Sequence, residues 1–283
     1  MQSTPDLYAY VCGEVLPLKN AFLHVSDLAI QRGYGIFDYF KVQHGQPVFL
    51  SDYLSRFRKS AELMALPVPL SDLELQAVIR ELIQRNGLEL SGMKMILTGG
   101  YSANGYDIAT PNLLLLQQPL ALPSVDAQEQ GIRVITHEFM REIPQAKTIN
   151  YTMGIRLNRQ LQEQGAADVL YHQQGVVSEF PRSNLLIVKQ DGTVCTPADN
   201  VLLGITRKNV LALARKKYPV AEGVVTLEDV YQAKEVFMTS TTKRVLPIVQ
   251  VDDQVIGTGR PGDVARGLLN ELIALEAKEA AAV

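Results

Sequence analysis

Lys147 lies in the run Ala146-Lys147-Thr148-Ile149-Asn150-Tyr151, between a strand-like and a helix-like stretch that carry little other charge. A lysine withdrawn from water loses part of its preference for the ammonium form, and its neutral amine attacks aldehydes. Tyr151, four residues on, can supply a hydroxyl nearby. Glu179 stands in Val176-Val177-Ser178-Glu179-Phe180-Pro181-Arg182-Ser183-Asn184, a carboxylate inside an apolar strand-like segment. Strand alternation can turn it inward, where an unpaired charge is costly and a buried cation relieves the cost. Gly204-Ile205-Thr206-Arg207 opens a predicted helix whose free N–H groups and positive dipole end suit a phosphate. Thr239-Ser240-Thr241-Thr242-Lys243 is a hydroxyl run directly after a predicted strand. Arg56, within Tyr53-Leu54-Ser55-Arg56-Phe57, has apolar neighbours and a fork that can grip phosphate oxygens, whereas Arg58 reads as solvated. Each segment also fits a commonplace role: a surface lysine, an edge-strand glutamate, an ordinary helix cap, a polar loop. Their joint occurrence points to aldehyde and phosphate chemistry.

Two α/β units must position these groups. Hairpins are expected at Tyr8–Cys12 with Glu14–Pro17, and at Ile36–Val42 with Pro47–Leu50. An amphipathic helix is expected over 51–65, with Ser51 and Asp52 as its cap, and a second over 71–86 ended by Gly87. Strands follow at Met93–Leu97 and Leu113–Gln117. The stretch 120–130, with two prolines and little periodicity, reads as a linker between a domain over 1–119 and a larger one over 131–283. In the second domain the pattern predicts a strand over 132–137 and a helix over about 150–164. Strands are expected at 169–172, 176–180, 185–188, 193–196 and 235–239, and helices over 206–217, 227–232 and 264–279.

The 283 residues carry a net charge of −3, which argues against a nucleic-acid partner. Met1 to Tyr10 has neither a basic start nor an apolar core, and no apolar run is long enough for a bilayer. Cys12 and Cys195 have no metal-ligand spacing, and the four histidines are scattered, so no metal and a reducing, cytoplasmic compartment are expected. No glycine-rich dinucleotide loop, Walker loop or nucleophile elbow is present.

From about Asp27 to the C-terminal helix, the sequence resembles the class IV (fold type IV) pyridoxal 5′-phosphate (PLP)-dependent aminotransferases. The resemblance is carried by Arg32-Gly33-Tyr34-Gly35-Ile36-Phe37-Asp38, the Arg56 segment, Lys147–Tyr151, Glu179–Asn184, Leu202–Arg207 and Thr239–Thr242, with Pro247 and Val251-Asp252 continuing it. It implies an α/β (α+β) fold, with a small N-terminal domain, a larger C-terminal domain built on a barrel-like sheet, and PLP in the cleft between them. Lys147 would hold PLP as a Schiff base and act as base and acid in proton transfer. Glu179 would pair with the pyridinium nitrogen, and Tyr151 would bond near the ring's phenolic oxygen. Arg56, the N–H groups of Ile205 and Thr206, and Thr241 would hold the phosphate, Leu202 would pack on the ring, and Thr242 would lie toward the substrate carboxylate. The family is usually homodimeric, and its partners are an amino acid or amine and a 2-oxo acid.

The sequence departs from its relatives at the substrate end. Branched-chain enzymes carry an arginine where Lys94 stands, and Thr98-Gly99-Gly100 lacks the arginine of D-amino-acid aminotransferases. The run Tyr101 to Tyr106 resembles the glycine-tyrosine loop of aminodeoxychorismate lyase. Phe37 and Tyr39 would line the pocket and favour an apolar or aromatic side chain. Lys94, Arg182 and Arg244 are spare cations for a carboxylate. A C–N lyase of the aminodeoxychorismate type is the second reading, and a non-catalytic domain that inherited the fold the third.

Overall fold

The computed structural model describes residues 7–281, which fall into two compact units. The first takes in residues 7–121, 146–150 and 278–281, and the second residues 122–145 and 151–277.

In the first unit, β1 (Tyr8–Val11) and β2 (Glu14–Pro17) form the expected hairpin around Gly13. A short helix α1 (Leu28–Arg32), capped by the Asp27 carboxylate, leads into β3 (Gly35–Gln43) and the two-residue β4 (Gln46–Pro47). The helices α2 (Leu50–Leu63) and α3 (Asp72–Asn86) follow, then β5 (Leu90–Thr98) and β6 (Leu113–Pro119). The strands form one antiparallel sheet in the order β2-β1-β6-β5-β3-β4. Along β3, Ile36, Asp38, Phe40 and Val42 are buried on one face, while on the other Phe37 and Tyr39 are half-buried and Lys41 is buried. Ser71 and Glu74 close a capping box at the start of α3, and Gly87 takes the left-handed conformation at its end. The expected cap of α2 is wrong: Phe49, not Ser51 or Asp52, occupies the cap position, and its side chain makes no cap hydrogen bond.

The second unit begins with α4 (Val125–Gln130), so the stretch read as a linker contains a helical turn capped by Ser124. β7 (Ile132–Glu138) follows as expected. The helix expected over 150–164 is two pieces, α5 (Thr152–Arg156) and α6 (Asn158–Glu163), which share Leu157 as a cap. Next come β8 (Asp168–Gln173), β9 (Val176–Val177), β10 (Asn184–Val188), β11 (Val194–Pro197), α7 (Ile205–Ala214), β12 (Val220–Gly223) and α8 (Leu227–Tyr231). β13 (Glu235–Ser240), β14 (Arg244–Val251), β15 (Gln254–Val255) and α9 (Asp263–Ala281) complete the chain. β12, β14 and β15 were not expected from the sequence.

The sheet of this unit runs β12-β11-β10-β13-β14-β7-β8-β9, with β15 on β14. Its two ends meet: Val176 pairs with Thr226, and the Val177 N–H donates to the Val225 carbonyl. The sheet is therefore curled into the expected barrel. Leu185 and Ile187 face one core with Val134, Val236 and Met238, while Leu186 and Val188 face another built with α7 and α9. β10 is consequently buried on both sides, which is why it reads as an unbroken apolar run. The buried Glu235 carboxylate accepts from the Val264 and Ala265 N–H groups at the start of α9, at 3.1 and 2.9 Å. Glu235→Ala leaves both donors unsatisfied and should cost about 1–3 kcal/mol. A lowered urea midpoint with an unchanged slope is the expected readout. Among the described residues no helix is long and apolar enough to cross a membrane.

Candidate active site

Lys147 is fixed by its backbone. Its N–H donates to Ser60 Oγ on α2 at 3.0 Å, and its carbonyl accepts from the Phe37 N–H at 2.9 Å. Thr148 pairs with Ile36, and the Ile149 N–H donates to the Gly35 carbonyl at 3.0 Å. The 147–149 segment thus acts as one more short strand on β3, along the part of its edge that β4 leaves uncovered. The Lys147 ammonium lies 4.7 Å from the centre of the Phe37 ring, and that of Lys94 lies 5.7 Å from the same ring. An aromatic face attracts cations, so Phe37 holds both amines near one spot on the sheet. Tyr39 is half-buried on the same face, with its hydroxyl over Gly92, where any Cβ would meet it. Burial pushes its phenol above the usual range.

Arg56 is on α2 as expected, but its fork is already engaged: Nε donates to Asp38 Oδ2 at 2.9 Å and Nη2 to Oδ1 at 2.6 Å. Asp38 is fully buried, so this pair locks the guanidinium in place. Arg58, read as solvated, pairs with Asp72 at 2.6 Å and with the Leu70 carbonyl.

In the second unit Glu179 is buried, though by a different route from the one expected. β9 stops at Val177, and Glu179 pairs as a single bridge with Asn184 across a tight turn closed by the Phe180 N–H to the Ser183 carbonyl. Oε1 accepts from Arg141 Nε at 2.9 Å and Nη2 at 2.8 Å. Oε2 accepts from the Leu202 N–H at 2.9 Å and Asn184 Nδ2 at 3.2 Å. Asn184 Nδ2 also reaches the Leu202 carbonyl, at 2.8 Å, which ties the glutamate to the loop ahead of α7. Arg141 has no expected role in the sequence reading. It sits in Met140-Arg141-Glu142-Ile143-Pro144, a charged, proline-containing loop with no periodicity.

α7 begins beside that turn. Gly204 caps it without a side-chain acceptor, and its first turn holds no acid, so the Ile205 and Thr206 N–H groups stand at an uncapped positive end. A Cβ on Gly204 would lie 2.1 Å from Asn184 Oδ1, so only glycine lets Asn184 come this close. Gly204→Ala should push Asn184 off Glu179 and lower stability by about 1–3 kcal/mol, read as a shifted denaturant midpoint. Thr239 pairs with Asn184 across β13 and β10, so the turn holding Thr241 and Thr242 follows at the same end of the sheet as Glu179. Tyr151 is half-buried at the start of α5.

The substrate residues are placed less tightly. Tyr106 is 81% exposed, and Arg182 is exposed in the turn after Glu179. Arg244 is not a spare cation, because its Nε donates to the buried Glu276 at 2.7 Å.

Comparison with known proteins agrees with this chemistry. The family model of the class IV amino-transferases matches residues 35–251. D-alanine aminotransferase of Bacillus licheniformis is 28% identical over 92% of this chain and 94% of its own length. A putative branched-chain-amino-acid aminotransferase of Methanocaldococcus jannaschii is 28% identical over 92% and 93%. Among solved structures, a branched-chain amino acid aminotransferase of T.th. with pyridoxamine 5′-phosphate superposes with a TM-score of 0.89, at 26% identity, over 96% of this chain and 95% of that one. With a lysine built into a sheet edge, a buried glutamate and an open helix N-terminus inside the matched span, this chain belongs to the class IV aminotransferases.

Proposed function

We propose that this protein uses pyridoxal 5′-phosphate, held through Lys147, to move an amino group between an amino acid or amine and a 2-oxo acid. The carrying observation is the class IV match over residues 35–251, which contains both Lys147 and Glu179. The structure named as a relative was solved with pyridoxamine 5′-phosphate. The residues present fit the cofactor: an uncapped α7 N-terminus for a phosphate, a buried carboxylate for a ring cation, and an amine fixed by its own backbone.

When bound, the cofactor supplies an electron sink for the substrate's α carbon. Lys147 Nζ would hold it and, once the substrate amine has displaced the lysine, would be placed to accept and return the α proton. Glu179 balances the positive charge of the ring nitrogen. The Ile205 and Thr206 N–H groups, Arg56 and Thr241 hold the phosphate, Leu202 packs against the ring, and Tyr151 bonds the ring's phenolic oxygen. Thr242 meets the substrate carboxylate. Phe37 and Tyr39 line the side-chain pocket, with Lys94, Arg182 and Tyr106 at the substrate end. The working form in this reading is a cytoplasmic homodimer.

Borohydride reduction of protein reconstituted with pyridoxal phosphate, followed by peptide mass mapping, tests the reading. The added mass should fall on the Lys147 peptide, and its absence there overturns the proposal. A screen of both enantiomers of amino donors then separates outcomes. A transaminase keeps the amino group on the protein until a 2-oxo acid arrives, whereas a lyase turns over its substrate with no 2-oxo acid and leaves no stable aminated cofactor.

A further inference from the structure

We infer that Arg141 is a positioning residue, which holds Glu179 ionised and fixed before any cofactor arrives. The inference rests on the reading of Glu179 as the partner of the ring nitrogen. Two of the donors reaching the carboxylate come from Arg141 and two from Asn184 and Leu202. None of these four can accept a proton from a neutral carboxyl, so the arrangement favours the anion. Arg141 is itself aimed: its Nη2 also donates to the carbonyl of the buried Pro144. The side chains are 15% and 6% exposed, so the pair is shielded from water and weakly screened by salt.

Tyr171 and Asp168 on β8 and Tyr151 at the start of α5 are ionisable groups near this pair. Burial pushes the Tyr171 phenol far up, with smaller contributions from Asp168, Arg141, Glu179 and Tyr151. Tyr171 therefore stays neutral at physiological pH. Asp168 is paired with Lys243 at 2.5 Å. Glu179, which takes two donor contacts from Arg141 directly, is the group whose charge responds most to losing it. Without the guanidinium, the buried carboxylate loses the two charged donor contacts of Arg141 and keeps the neutral ones from Leu202 and Asn184, so it takes up a proton more readily. The variant's shortfall in stability should then depend on pH. Near pH 5 folded and unfolded chains both begin to carry the proton, and the shortfall closes. As pH rises, the unfolded chain ionises freely while the folded one resists, and the shortfall opens.

The test is thermal unfolding of cofactor-free protein between pH 5 and 8.5, for wild type, Arg141→Met, Arg141→Lys and Arg141→Met/Glu179→Gln. Arg141→Met should lower the melting temperature by about 5–10 °C at pH 8, with the gap narrowing toward pH 5. Arg141→Lys should recover part of it. The double variant should recover most of it, because the glutamine oxygen can stay on Leu202 and Asn184. A gap of constant size across pH, or one that Glu179→Gln does not relieve, would show that Arg141 merely packs and would overturn the inference. If Arg141→Met yields no folded protein, the double variant should still fold, and failure of both counts equally against it. No measurement here uses the cofactor, so a negative result at Lys147 and a negative result at Arg141 remain distinct.

Discussion

Lys147→Ala is expected to lower turnover by about 10⁴-fold or more, while the protein keeps its melting temperature within a few degrees. The segment carrying Lys147 is held by main-chain bonds to Gly35, Phe37 and Ser60, and alanine leaves all of them in place. What disappears is the amine, and with it both the attachment point and the group that moves the proton. Cofactor should still bind through its phosphate, but borohydride should no longer attach it to the protein. An added primary amine restoring some activity would separate loss of the amine from loss of structure. Substantial residual turnover without such an additive would mean that another lysine carries the chemistry, and Lys94, on the same ring of Phe37, is the one to examine.

Glu179 should give the second largest effect, and its two substitutions should differ in kind. Glu179→Gln removes the charge but keeps much of the shape. Losing a charge-assisted bond worth about 1.5–3 kcal/mol should slow turnover by roughly 10- to 100-fold, with KM for the amino donor changing much less. Glu179→Ala also strands Arg141, Asn184 and the Leu202 N–H in a buried turn, so it should cost about 3 kcal/mol of stability besides. Urea midpoints and steady-state rates on the same preparations check this. Equal rate losses in the two variants, tracking equal losses of stability, would reduce Glu179 to a structural residue.

How far the molecule was legible in its sequence depended on whether local pattern and tertiary outcome coincided. α3 announced itself through Ser71, Glu74 and Gly87, and β3 as one arm of the expected hairpin. β10 was legible as an apolar run. β14 was not, because it contains Pro247, and proline in a pattern normally argues against a central strand. In the structure Pro247 stands opposite Phe237, one residue before the pairing with β7 begins at Ile248. The short helices α5 and α6 looked continuous because neither proline nor a strong cap marks the break at Leu157. Lys147 and Glu179 were singled out from local surroundings, and the family resemblance joined them. Arg141 and the pairing of Asp38 with Arg56 escaped notice because an ion pair across 38 or 18 residues leaves no periodic trace. Burial of Glu179 was anticipated through strand alternation, yet a turn produces it, so the right residue was reached through the wrong element.

The strip at 147–149 has a consequence for how the protein is made. Its partners at Gly35 and Phe37 leave the ribosome more than a hundred residues earlier. Until the strip arrives, one flank of β3 has a bare N–H and a bare carbonyl, a template for any extended chain nearby. A nascent chain stalled, or a fragment cut, near residue 121 should therefore be sticky. The residue that is to do the chemistry also seals that flank, so a molecule still missing its reactive amine is one whose sheet is still open.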